Sequence, residues 1–254
     1  MRTPLVLGNW KMHGNRAFAR ALAGDVCAGV QGMGQVEVGL CPPFVFLTDV
    51  AAVVAEGPVG LGAQNASEFS DGAYTGEISC GMLQALGCRY VLVGHSERRQ
   101  LFAETPAQVI AKLVAVVDAG MIPVLCVGET LTERQSGATP HVIDAQLAPL
   151  FARADAAHYL QTAVIAYEPV WAIGTGETAT PAQAQAVHAQ IRQRVGALDE
   201  GLGQRMRILY GGSVKPGNAG ELFGEADIDG GLIGGAALKA EDFCAIVAAA
   251  ARQS

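Results

Sequence analysis

The chain has 254 residues, 50% of them hydrophobic and only 6% aromatic, with a formal net charge of −7 at pH 7. That length can bury a large core built from Ala, Val, Leu and Ile, and the acidity argues against nucleic acid as a partner. The longest apolar runs are strand-sized and broken by Gly or charge, which excludes a membrane-spanning helix.

Eight apolar runs read as strands, in order Leu5–Asn9, Val36–Leu40, Val59–Ala63, Tyr90–Gly94, Ile122–Val127, Ala163–Tyr167, Met206–Tyr210 and Ile228–Ile233. Ala- and Gln-rich segments with helical spacing lie between them, including Pro106–Ala119, Pro140–Leu160 and Pro181–Leu198. The last opens on Thr180-Pro181, a capping residue followed by proline at the first helical position. Eight alternations of strand and helix call for a parallel sheet, and eight units suffice to close it. The expectation is therefore an α/β chain, a single-domain (β/α)8 barrel over residues 1–254, with an open doubly wound sheet as the other topology that this cadence allows. The N-terminus enters a strand almost at once and has no cleavable signal pattern. Six cysteines, Cys27, Cys41, Cys80, Cys88, Cys126 and Cys244, have no CxxC spacing and read as free thiols.

Ligands of parallel α/β folds bind beyond the C-terminal ends of the strands. Those ends carry Asn9 and Lys11, Gln64-Asn65, His95 and Glu97, Glu129, Glu168, Ser213 and Gly234-Gly235. Glu168 stands between a buried-strand pattern and Pro169, which biases it toward extended geometry. Val170-Trp171-Ala172-Ile173 is too oily for an exposed loop, and with Gly174-Thr175-Gly176 behind it the segment reads as a lid over a base. His95 falls at a probable helix start, where partial positive charge disfavours a second ring proton. Lys11 reads as an anion contact in an acidic protein. Glu97 is equally well placed as an ordinary first-turn acid. The glycine pairs at the last two strand ends fit backbone amides that cradle a phosphate. Gly174-Thr175-Gly176-Glu177-Thr178-Ala179 matches a dinucleotide fingerprint in letters only, because six residues separate it from the preceding strand. No histidine spacing supports a metal site.

Taken together, Gly8-Asn9-Trp10-Lys11-Met12, Gly62-Ala63-Gln64-Asn65, Gly72–Glu77, Gly94–Arg99, Leu125–Thr130, Ala166–Gly176, Tyr210–Val214 and Gly234-Gly235-Ala236 resemble the blocks of the triosephosphate isomerase family, in order, across nearly the whole chain. The resemblance implies a cofactor-free, metal-free, cytoplasmic isomerase that interconverts glyceraldehyde 3-phosphate and dihydroxyacetone phosphate through an enediolate. That family is a well-known instance of a glutamate base, a neutral histidine and a closing loop acting together. The resemblance makes Glu168 the base, His95 the electrophile, Lys11 a fixed positive charge, Asn9 its positioner, and Glu97 a partner of Lys11 or a helper in proton traffic. It assigns substrate binding to Asn9 and Lys11 and to the backbone N–H groups of Gly174, Ser213, Gly234 and Gly235. It also implies a homodimer in which Thr75, in the Gly72–Glu77 loop, reaches the neighbour's Asn9-Lys11 region. His13, where Asn is common, and Ala237, where Ser is common, depart from the pattern. Rival readings are an aldolase or epimerase of phosphorylated sugars and a non-enzymatic sensor. The aldolase would need a strand lysine that is not there, and a sensor would not need a base under a lid.

Overall fold

Alternating side chains along eight short strands create two apolar layers, one inside a closed barrel and one between the barrel and its helices. The computed structural model describes residues 2–173 and 178–252. The strands are β1 (Leu5–Asn9), β2 (Glu37–Cys41), β3 (Val59–Ala63), β4 (Cys88–Val93), β5 (Ile122–Val127), β6 (Val164–Tyr167), β7 (Ile208–Tyr210) and β8 (Gly230–Ile233). Each pairs in parallel with the next, and β8 returns to β1, so the sheet is closed and not doubly wound. Leu5, Leu7, Leu92, Val124, Cys126, Val164, Ala166, Leu209 and Leu232 pack together inside. Their strand neighbours Val6, Val91, Val93, Leu125, Ile165 and Ile208 join the helix-facing layer. Each fully buried aliphatic side chain contributes roughly 1.5–3 kcal/mol, so closure is a packing solution that satisfies both faces of every strand.

Tyr90 fills the interior near the N-terminal ends of the strands, and its neighbours are glycines for that reason. A Cβ on Gly60 would stand 2.9 Å from the Tyr90 ring, and one on Gly39 would stand 2.7 Å from Leu7. The Tyr90 hydroxyl donates to Glu37 at 2.7 Å, and Arg89 and Arg207 flank the same carboxylate. This polar group closes the end of the barrel opposite the strand C-termini.

Several element boundaries differ from the sequence expectation. β4 starts earlier, at Cys88, and stops before Gly94, whose φ of +67° turns the chain into a short helix, Ser96–Leu101. β7 begins at Ile208, where the Asp229 carboxylate accepts the Ile208 N–H at 2.8 Å. The expected helix Pro140–Leu160 is two helices, Thr139–Phe151 and Ala156–Thr162. Between them Arg153 forks onto Asp155 with two bonds of 2.8 Å, and a turn replaces the helical ladder. The six cysteines are free, as expected.

The helix Pro181–Gly196 starts on a capping box between Thr180 and Gln183 and buries Ala184, Val187, His188, Ile191 and Val195. His188 packs edge-on against Tyr167, with ring centroids 5.8 Å apart. Its Nδ1 lies 3.2 Å from the Asp227 carbonyl oxygen, so the neutral ring donates there. Burial drives the His188 pKa down to about 3. In the unfolded chain it titrates near ~6.5, so protons favour unfolding once the pH falls below that value. Wild type should therefore lose about 3 kcal/mol more unfolding free energy than His188→Gln between pH 7 and pH 4. Denaturant titrations at the two pH values measure this, and parallel losses in both proteins would show that His188 does not set the acid sensitivity.

Candidate active site

β6 ends at Tyr167, and the next residue, Glu168, is fixed by its backbone before its side chain makes any contact. Its N–H donates to the Val127 carbonyl at 2.7 Å. A Cβ on Gly128 would fall 1.7 Å from the Glu168 carbonyl oxygen, and one on Gly211 would fall 2.9 Å from Glu168 Cγ. Glycine at both neighbouring strand ends lets the chain bring this residue inward. The Glu168 side chain is 2% exposed, and both carboxylate oxygens are occupied. Oε1 lies 2.8 Å from His95 Nε2, and Oε2 accepts the Ser96 N–H at 2.9 Å.

His95 caps the helix Ser96–Leu101, and its Nδ1 accepts the Glu97 N–H at 3.3 Å. Only Nε2 is then left to carry a hydrogen, which makes the ring neutral and points its one N–H at Glu168. Burial opposes a charged carboxylate at Glu168, but His95, the Ser96 amide and Lys11 outweigh it and hold the pKa below the usual range. Burial likewise lowers the basicity of His95, while the Glu168 and Glu97 carboxylates raise it above the ordinary value in this docked arrangement. The backbone donor on Nδ1 decides the protonation state: an imidazolium would have no lone pair there to accept it. Removing Glu168 from Nε2 would also remove the larger of the two charges that favour protonation.

Lys11 follows β1 in the left-handed region, with a φ of +51°. That conformation costs a non-glycine residue about 1–3 kcal/mol, and the bonds on either side hold it. The Lys11 N–H donates to Asn9 Oδ1 at 3.0 Å, and its carbonyl accepts from Gln64 Nε2 at 2.8 Å. Gln64 also donates to the Cys41 carbonyl, tying the ends of the first three strands together. Lys11 Nζ pairs with Glu97 Oε1 at 2.5 Å.

Asn9, Lys11, His95 and Glu168 share one cavity of about 680 Å³ with Ser213, Gly234 and Gly235. The structure thus brings these separate strand ends to one mouth. Glu97 stands beside it as the partner of Lys11 and does not line the cavity. A Cβ on Gly235 would meet nothing within 4 Å, so packing does not demand glycine there. Gly174 lies outside the described residues. Thr75 is exposed in its loop, which is braced by Phe69 stacked on Tyr74 with centroids 4.3 Å apart.

The first part of the expected lid is a 3-10 turn, Val170–Ala172. It is attached to Glu129, whose role the sequence left open. The Glu129 carbonyl accepts the Val170 N–H at 3.1 Å, and its Oε1 accepts from Tyr167 Oη at 3.0 Å and Trp171 Nε1 at 3.1 Å. Arg134 reaches the same oxygen and lies over the Trp171 ring. Ser96 was missed in the sequence, because it acts through its backbone N–H, which any residue would carry. Gln64 was named at its strand end, but no motif encodes its bonds to the carbonyls of Lys11 and Cys41.

Comparisons with known proteins identify the chain's relatives. The sequence profile of the family described as Triosephosphate isomerase matches residues 4–250. The chain is 56% identical over 250 residues to the triosephosphate isomerase of Dechloromonas aromatica (strain RCB), covering 98% of this chain and 100% of that protein. It is 52% identical over 249 residues to that of Alcanivorax borkumensis, with 98% and 99% covered. Against that of Nitrosococcus oceani it is 51% identical over 250 residues, with 98% and 100% covered.

The close approach at Gly128 gives a sharp expectation. Gly128→Ala must push the Glu168 backbone aside and should lower kcat by roughly 100-fold, since small misplacements of a reacting group have effects of that size. Circular dichroism would verify that the barrel is folded, and wild-type kcat in a folded variant would show that the crowding does not position Glu168.

Proposed function

This chain belongs to the triosephosphate isomerase family, and from that premise we propose how its own residues interconvert glyceraldehyde 3-phosphate and dihydroxyacetone phosphate, the step used in glycolysis and gluconeogenesis. Residues 1–254 act as one catalytic domain. Glu168 is the base, His95 the neutral electrophile and Lys11 the fixed charge positioned by Asn9. Ser213, Gly234, Gly235 and Gly174 offer backbone N–H groups to the phosphate. One observation carries this reading: the only buried carboxylate facing the cavity among the described residues is bonded directly to a buried imidazole nitrogen that lines the same cavity.

The docked pair is a resting arrangement of the two groups that the reaction needs. When substrate enters, its carbonyl oxygen takes over the His95 Nε2–H, and Glu168 leaves both His95 and Ser96. The carboxylate then loses the donors that held its pKa down while staying in a dry site, so its basicity rises where a proton must be abstracted. Glu168 removes a proton from the carbon beside the carbonyl, and the C–H electrons form the enediolate double bond. His95 donates a hydrogen bond to the developing oxyanion, and Lys11 stabilises the added negative charge. The hydroxyl on the deprotonated carbon then gives its proton to the former carbonyl oxygen, and Glu168 returns its own proton to the former carbonyl carbon, so the new carbonyl stands on the carbon first deprotonated and the isomerisation is complete. No group outside the chain is required for this sequence of transfers. The oily segment Val170–Ile173 excludes water, which matters because a solvated enediolate phosphate can expel its phosphate.

The proposal includes a homodimer formed through the Gly72–Glu77 loop. Met12, Val45, Phe69, Tyr74, Met82 and Phe102 are exposed and all lie between β1 and β5, on one side of the barrel. A second copy would cover them, with Thr75 bracing the neighbour's Asn9-Lys11 region. A cytoplasmic location is also proposed. No helix among the described residues is long and apolar enough to cross a membrane.

Two measurements test these assignments. Glu168→Asp withdraws the carboxylate by about 1 Å and should lower kcat by at least roughly 100-fold in a folded protein, followed by coupled assay with glyceraldehyde 3-phosphate. An Asp variant with wild-type turnover would remove Glu168 from the mechanism. Specific activity should also fall on dilution in step with dissociation seen by analytical ultracentrifugation, whereas a fully active monomer would refute the bracing role of Thr75.

A further inference from the structure

The cavity at the barrel mouth is lined by more groups than those assigned to the triose phosphate. Its volume of about 680 Å³ is in the range of sites for drug-sized ligands, roughly 300–1,000 Å³. Val214, Lys215, Pro216, Leu238, Lys239 and Asp242, close in sequence to Ser213 and Gly235, line the same cavity and make up its outer lobe. Lys215 directly precedes the helix Pro216–Phe223, and Lys239 directly precedes the helix Ala240–Ala251. Neither lysine has an ion-pair partner among the described residues, and both are exposed. Asp242 belongs to the first turn of its helix, where the backbone dipole favours a negative charge. Counting all three charges, this lobe stays positive in a protein whose net charge is −7.

We propose that this outer lobe is a second anion subsite and that the mouth as a whole accepts short-chain bisphosphates. One phosphate would occupy the position at Ser213, Gly234 and Gly235, and the other would lie between Lys215 and Lys239. A lysine ammonium suits this task as a point charge that does not impose bidentate geometry. The inference rests on the phosphate position given under the proposed function. It adds a ligand class, because a compound with phosphates at both ends would compete with the triose phosphate without being isomerised. The lobe therefore offers the enzyme a way to sense bisphosphorylated metabolites at its own active site.

The test compares butanediol bisphosphate with butanediol monophosphate as inhibitors of isomerisation, in wild type and in the double variant Lys215→Ala/Lys239→Ala. Neither lysine has a part in the catalytic machinery, so kcat should be unchanged in the variant, and any loss of general anion attraction should weaken the substrate and the monophosphate alike. Wild type should bind the bisphosphate about tenfold more tightly than the monophosphate, the scale expected of two partly solvated charge contacts. That preference should shrink to about twofold in the variant, and it should also weaken with added salt because the contacts are exposed. Equal inhibition by both compounds in wild type, or a preference that survives loss of both lysines, would overturn the subsite. Failure of the monophosphate itself to inhibit an active enzyme would instead overturn the assigned phosphate position.

Discussion

The contact on which the site depends is the clamp of Glu168 between His95 Nε2 and the Ser96 N–H, at 2.8 and 2.9 Å. A carboxylate removed from water is unfavourable unless hydrogen bonds replace its hydration, and here the helix Ser96–Leu101 supplies that replacement. The clamp keeps the carboxylate ionised and dry, and under the proposed function it therefore has no proton to lose before the reaction can begin. It also defines the tautomer of His95 from both sides, one nitrogen accepting from Glu97 and the other donating to Glu168. Much of the barrel mouth exists to allow this contact. Gly128 and Gly211 vacate the space that the Glu168 backbone and Cγ fill, and Gly94 turns β4 into the helix that carries both donors.

A dianionic substrate must be attracted against an overall charge of −7. Electrostatic steering by the whole molecule is therefore of the wrong sign, and attraction has to come from groups within a Debye length, about 8 Å at physiological salt. Under the proposed function Lys11 meets this need, at some conformational expense. Its strained backbone is held by Asn9 and Gln64, and its ammonium is held by Glu97, so the charge has a fixed position before ligand arrives. Preorganisation of that kind is what makes a charge useful to a transition state, because no reorientation is needed as the oxyanion forms.

The sequence made the barrel and most of the mouth legible for a simple reason. Strands buried on both faces read as unbroken apolar runs, so a polar residue at the end of one or within three residues after it marks the catalytic end. Asn9, His95, Glu129, Glu168 and Ser213 all stand out in this way. Less legible was anything determined by backbone geometry or by contacts between distant segments. The early start of β4 at Cys88 includes the exposed Arg89, which interrupts the apolar pattern, and the break before Ala156 depends on the fork of Arg153 onto Asp155. Ser96 contributes an amide that has no side-chain signature. Gln64 stands in plain view at a strand end, but its task, joining the carbonyls of Lys11 and Cys41, becomes apparent only once three strands are side by side.

Glu129 shows how a residue at the same end of the barrel can serve the lid and leave the chemistry to others. One carboxylate oxygen gathers Tyr167, Trp171 and Arg134, and the carbonyl of the same residue holds the Val170 amide. Tyr167 is the residue before the base, and Val170 and Trp171 begin the lid, so Glu129 grips the chain on both sides of Glu168-Pro169. Pro169 has a fixed φ of −65° and cannot absorb much rotation. A movement that frees Trp171 from Glu129 would then, under the proposed mechanism, reach Glu168 through a joint stiffened at the Pro169 φ. Under the proposed mechanism, covering the substrate and releasing the base from Ser96 are two consequences of one displacement. That linkage gives a physical reason for the stiff proline directly after a catalytic glutamate: the base becomes free only when the site is being closed to water.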